Sequence, residues 1–135
     1  MKHWRIVAGH WDPNDTDETK SVMLGDWIRH NYVSIGYPKK HVQYKTFEEK
    51  VQINDKIVVT TSGHVWALGT VTSDLYHKEV SAKSYLYPHR RDVIWSTVTK
   101  VPFKGFPKTL KNKLGLLRGI NPLTPEDWET LLMFV

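Results

Sequence analysis

Lys56–Thr72, KIVVTTSGHVWALGTVT, reads as two strands joined at Ser62-Gly63. Its first arm, Ile57-Val58-Val59-Thr60-Thr61, is an unbroken β-branched run, the composition of a strand buried on both faces. The second arm alternates, with Val65, Ala67, Gly69 and Val71 on one face and Trp66, Leu68, Thr70 and Thr72 on the other. Gly63 supplies the positive φ of a tight hairpin. Gly69 inside a strand marks a bulge or a close approach to the backbone. Trp66 near the hairpin mouth offers a flat face to a planar ligand, or simply belongs to a barrel core.

Outward from the hairpin, His3–Gly9 reads as a first strand running into the turn-rich His10-Trp11-Asp12-Pro13-Asn14-Asp15. Thr16–His30 has helical spacing that buries Leu24, Trp27 and Ile28. Asn31–Tyr37 is a second strand stopped by Pro38, with Tyr32, Ser34 and Gly36 on one side. Thr46–Val51 reads as a short helix, and Asp74–Pro88 as a Tyr-rich loop. Asp92–Val101 alternates Val93, Trp95, Thr97 and Thr99 with Ile94, Ser96, Val98 and Lys100, a strand pattern. Leu110, Leu114 and Leu117 form a helical stripe. Thr124-Pro125-Glu126-Asp127 opens a last helix, which is expected to bury Trp128, Leu131, Leu132 and Val135.

A chain of 135 residues reads as one domain, 1–135, with a substantial core. It has no Cys, which removes disulfides, thiolate ligands and a Cys nucleophile, and allows a reducing cytoplasm. No apolar run approaches membrane-spanning length, and Met1-Lys2-His3-Trp4 does not open a signal peptide. The seven His form no ligand pair, and no phosphate-loop, dinucleotide-binding or nucleophile-elbow motif occurs. These absences point to a binding module without metal or cofactor rather than an enzyme.

The net charge is +5, and no acid falls between Asp92 and Glu126, where six Lys and Arg lie. A basic half favours a polyanion, with a solvated surface as the plain alternative. Six Trp, six Tyr and four Phe exceed the needs of a core this size. Trp11 among Asp12 and Asn14, and Tyr37 at a strand end, are therefore candidate base-stacking groups, with barrel closure and helix capping as the structural alternative.

The ordered set G-H-W-D, N-Y-V-S-I-G-Y, V-V-T-T-S-G-x-V-x-A-L-G-x-V, Y-P-H-R-R-D-V-I-W and P-E-D-W-E-T-L resembles the EVE domain of the PUA-like superfamily, which includes the YTH readers of N6-methyladenine. Within it, the resemblance is to the N-terminal domain of archaeal McrB-type restriction proteins, which carry a GTPase domain. It implies an α+β fold: a strongly curved mixed sheet or pseudo-barrel flanked by helices. It also implies binding of methylated DNA, with an N6-methyladenine flipped into an aromatic cage; a PUA-like RNA-binding module is the alternative. Carried onto this chain, base-binding falls to Trp11, Asp12, Asn14, Ser34, Tyr37, Trp66 and Tyr87, with Tyr85 as the alternative to Tyr87. Tyr37 stands where the family more often has Trp. Phosphate contacts are expected from Lys39, Lys40, Arg90, Arg91, Lys104 and Lys108. A nucleotide-processing enzyme of the neighbouring ASCH group would need a Lys or acid in the pocket. The chain's end directly after an apolar helix, at Phe134-Val135, fits a domain cut from a longer protein, or a complete small one.

Overall fold

The computed structural model describes residues 1–9, 17–80, 86–116 and 118–135. Trp11, Asp12, Asn14, Tyr85 and Leu117 lie outside the described residues. A seven-stranded sheet carries the strand order β2-β6-β4-β3-β1-β7, with β5 paired to β6. The strands are β1 (His3–Val7), β2 (Tyr32–Ile35), β3 (Lys56–Thr61), β4 (His64–Val71), β5 (Tyr76–His77), β6 (His89–Pro102) and β7 (Ile120–Leu123). The helices are α1 (Asp17–His30), α2 (Val42–Lys45), α3 (Lys108–Leu114) and α4 (Pro125–Leu132). β1 runs parallel to β3 and antiparallel to β7, so the sheet is mixed. Among the described residues no helix is long and apolar enough to cross a membrane.

The β-branched run behaves as its composition demands. Ile57 and Val59 join one core cluster with Trp4, Ile6, Trp27 and Phe47, while Val58 joins a second with Leu68, Leu110, Leu114 and Leu131. β3 is thus buried on both faces, with α1 over one and α3 and α4 over the other. Ser62 and Gly63 both take positive φ, 50° and 75°, closing the hairpin in two residues.

The alternation in β4 breaks. Its register with β6 shifts between Val65 and Ala67 and again between Leu68 and Gly69. Val65 and Leu68 therefore share the second cluster, and Trp66 packs partly on the first with Ala67 and Val71, against the simple two-face expectation. Gly69 is where β6 crowds in: an added Cβ would lie 2.6 Å from Val93 Cγ1 and 2.8 Å from the Ile94 carbonyl. The close approach is protein, not ligand.

Several expectations need correcting. β2 is shorter than Asn31–Tyr37, because Asn31 takes φ 59°, ending α1, and all four β2 residues are buried rather than alternating. α2 begins at Val42, ahead of the expected helix, and continues as a wide π-type turn, Thr46–Lys50. β5 occupies part of the presumed loop 74–88. Leu132 is exposed, since α4 packs through Leu131 and partly through Trp128, with Val135 beyond its end on the same cluster. β7 went unforeseen: Pro122 argues against a strand, yet among the described residues β7 has only β1 as partner and tolerates a residue lacking N–H.

The last helix starts as its sequence dictates. Thr124 Oγ1 accepts the Asp127 N–H at 3.0 Å, and Asp127 Oδ2 accepts the Thr124 N–H at 2.8 Å. Burial pushes the Asp127 carboxyl up, but Lys113 at 2.6 Å and the Thr124 hydrogen bonds outweigh it and hold the pKa below the usual range. A lowered folded-state pKa means the stabilisation is complete above the unfolded value, ~3.9, and drains away as pH falls through the folded value. Asp127→Asn is expected to cost about 1–2 kcal/mol at neutral pH. Urea titrations of both proteins should converge as pH drops below about 4; a constant gap down to the acid limit contradicts the assignment.

Candidate functional site

β2 ends at Ile35, and Gly36-Tyr37-Pro38 turns the chain away, because proline cannot donate to a continuing ladder. Tyr37 is 6 % exposed; its ring stacks on His41 at 4.5 Å, and its hydroxyl takes a backbone hydrogen bond from Gly119. Burial pushes the Tyr37 pKa up, with the Gly119 bond and Arg5 pulling the other way. Gly119 is what lets the ring lie there: an added Cβ would stand 3.0 Å from Tyr37 Cζ, with the hydroxyl closer still. Beside Gly119, the buried Arg5 guanidinium bonds Asn121 Oδ1 at 2.5 Å and the Leu116 carbonyl at 2.7 Å. Burial pushes its pKa down to about 10.

Tyr87 reaches the same place from the start of β6. Its backbone takes φ 54°, an uncommon conformation for a bulky residue. The segment is held by Ser34, whose hydroxyl accepts the Trp27 indole N–H at 2.8 Å and donates to the Leu86 carbonyl at 2.7 Å. Trp27 is fully buried, as its helical spacing implied. Val7, Ser34, Ile35, Gly36, Tyr37, Tyr87 and Gly119 line a single cleft.

Three of the sequence-derived base-binding residues, Ser34, Tyr37 and Tyr87, therefore meet. Ser34 spends its only hydroxyl proton on Leu86, so its role is to tether the 86–87 segment rather than to donate to a base. Among the described residues the cleft holds about 10 Å³ of open space, the room of about one water at most, so it is a narrow seam without space for a base as it stands. Trp66 is not among the residues lining it. Its indole N–H donates to the Thr61 carbonyl at 2.9 Å, and the Lys100 ammonium stands 5.1 Å from its ring centroid. The bulges of β4 set that orientation. Thr61 in turn bonds the Ala8 carbonyl at 3.1 Å, which places the hairpin beside the end of β1.

The expected phosphate-binding residues divide. Lys39 and Lys40 are exposed just after Tyr37, and Lys104 and Lys108 are exposed near the Phe103 N–H that bonds the hairpin's Gly63 carbonyl. Arg90 and Arg91 are corrected: they are 6 % and 3 % exposed. Arg91 donates to the carbonyls of Phe47, Ser73 and Glu48 at 2.9–3.1 Å. Arg90 lies over the Tyr32 ring at 4.1 Å and donates to the Tyr87 carbonyl at 3.2 Å. The Arg91 guanidinium is thus spent on three backbone carbonyls, while Arg90, held through its Nε and the Tyr32 face, borders a surface pocket with Tyr76 and Lys78.

Tyr37 also borders a far larger cavity of about 830 Å³, whose lining includes Lys2, Trp4, Gln43, Lys50 and Arg118. Sequence reasoning missed it, because it joins β1, α2 and the unforeseen β7.

The fold is that of YTH and PUA-like domains, an α+β arrangement in which a curled mixed sheet is flanked by helices. The YTH domain of the Zygosaccharomyces rouxii MRB1 protein, in complex with N6-methyladenosine RNA, superposes with a TM-score of 0.64 at 13% identity, covering 98% of this chain and 84% of that one. The YTH domain-containing protein mmi1, in an RNA complex, gives 0.62 at 8% identity, covering 98% and 79%. Protein Atu2648 from Agrobacterium tumefaciens gives 0.59 at 15% identity, covering 98% and 92%. At these identities the likeness speaks for fold alone. No curated protein matches the sequence. A family profile covers residues 5–111, and the chain accordingly belongs to the family described as "Domain of unknown function (DUF8426)".

Proposed function

We propose that this chain is a nucleic-acid-binding module that receives a modified base, with N6-methyladenine in RNA as its first candidate ligand. One observation carries the reading: a fold shared with YTH domains solved in complex with RNA, one of them N6-methyladenosine RNA, in which Tyr37 and Tyr87 line one cleft. The excess of basic residues supplies the complementary charge.

Because the seam is too narrow for a base, one enters only if a wall moves. Tyr87 is the wall best suited to move: its left-handed backbone costs on the order of 1 kcal/mol, which a new conformation recovers. Extruding a base costs a few kcal/mol, and stacking on each ring returns roughly 1–3 kcal/mol. A buried methyl adds about 0.8 kcal/mol, so discrimination also needs a hydrogen bond to the remaining amine N–H. Trp11, Asp12 and Asn14 are proposed as further members of the cage. Lys39 and Lys40 would hold the flanking phosphates.

The narrower reading, a methylated-DNA specificity domain of a McrB-type restriction protein, stands second, because the RNA complexes favour RNA. Competition between matched methylated RNA and DNA separates the two. With methylated RNA, Tyr87→Ala is expected to weaken binding about tenfold or more, the loss of one stacking ring. Lys39→Glu with Lys40→Glu should weaken methylated and unmethylated RNA alike and flatten the salt dependence. Equal affinity of the wild type for methylated and unmethylated strands, in RNA and in DNA, refutes the modified-base reading.

A further inference from the structure

The large cavity has a character of its own. Lys2, Lys50 and Arg118 line it, with no carboxylate among the described residues that do so. Its volume, about 830 Å³, lies within the range of sites that bury a ligand of nucleotide size. Trp4, Tyr37 and His41 add ring surface to the walls.

Gln43 gives the second, independent pointer. It is 8 % exposed and fixed at both ends. Its backbone N–H donates to His41 Nδ1 at 3.0 Å, and its side-chain Oε1 accepts the Ile120 N–H at 2.6 Å. That bond spends the acceptor and leaves the amide nitrogen, a two-proton donor, with no hydrogen-bond partner among the described residues. That nitrogen is not sealed from solvent and belongs to a residue lining the cavity, so it is open to an acceptor bound there. Ring nitrogens and carbonyls of a base are such acceptors, and a phosphate is what three unopposed cations select.

We infer that this cavity binds a nucleoside monophosphate unit, its phosphate met by Lys2, Lys50 and Arg118 and its base edge read by the Gln43 amide. The inference stands apart from the modified-base reading. The unit is either a free nucleotide or one residue of a bound strand. Tyr37, shared with the seam, is the partition between the two sites.

The test is calorimetric titration of the folded protein with adenosine 5′-monophosphate. Saturable binding is expected, weakened at least tenfold by Lys50→Glu with Arg118→Glu, two exposed positions. Gln43→Glu keeps an acceptor for Ile120 and removes the donor, and should weaken binding similarly. Gly25→Ala, in α1 and not among the residues lining the cavity, should leave it unchanged. Displacement of the nucleotide by an unmodified oligoribonucleotide assigns the cavity to a strand; no displacement assigns it to a free nucleotide. Absence of binding to the wild type, or undiminished binding by the double variant, overturns the inference. Nucleotide binding without any preference for methylated RNA would remove only the modified-base reading.

Discussion

Gly69→Ala is expected to lower stability by about 3 kcal/mol and the melting temperature by roughly 10–15 °C. The added methyl would meet Val93 Cγ1 at 2.6 Å, the Ile94 carbonyl at 2.8 Å and Trp95 Cε3 at 2.9 Å. A side chain can turn aside, but the carbonyl belongs to β6, the strand that joins β2 to β4. Relief therefore means prising β4 from β6 where the register already shifts. Gly25→Ala in α1 is the control, because nothing lies within 4 Å of the added atom. It should gain about 0.5–1 kcal/mol from helix propensity. Thermal unfolding of the two variants side by side checks this, and a Gly69→Ala protein melting within about 2 °C of the wild type rules out the close approach.

Arg91→Met should cost about 3–5 kcal/mol, measured by urea unfolding. Three carbonyls, from Phe47, Glu48 and Ser73, lose their donor at once, and two of them lie within the turn after α2. Burial pushes the Arg91 pKa down, while Asp74, Asp55 and Glu48 pull it back. Arg91→Lys should recover less than half of the loss, because one ammonium cannot reproduce a planar fork aimed at three oxygens. A phosphate contact would behave oppositely: stability would hold, while nucleic-acid affinity fell and its salt slope dropped by about one. The two outcomes separate cleanly, and they decide whether His89-Arg90-Arg91 is a basic patch or a buried brace.

That segment shows why some of the site was illegible in the sequence. Two adjacent arginines before a strand read as surface charge, since charge rarely enters a core unpaired. Arg91 is buried because backbone carbonyls from the turn after α2 and from Ser73 converge on it, and Arg90 because the Tyr32 ring lies under it; all of these are distant along the chain. Trp66 misled in another way. Strict alternation puts it opposite Ala67, but the bulges against β6 depend on a partner strand that the alternation alone does not name. Tyr37 and Tyr87 were legible as ring-bearing ends of neighbouring segments, yet nothing local says that their seam is narrow.

What the sequence determined alone are the features whose causes lie within a few residues. The Ser62-Gly63 turn, the doubly buried run Ile57–Val59, the alternation of β6 and the Thr124–Asp127 cap follow from backbone sterics and local hydrogen bonds. Tertiary structure alone decided β7, the burial of Arg90 and Arg91, the narrowing of the seam by Gly119 and Tyr37, and the basic cavity between β1, α2 and β7. Each of these depends on groups distant in sequence competing for the same volume and the same hydrogen bonds, and that competition is settled only when the sheet curls.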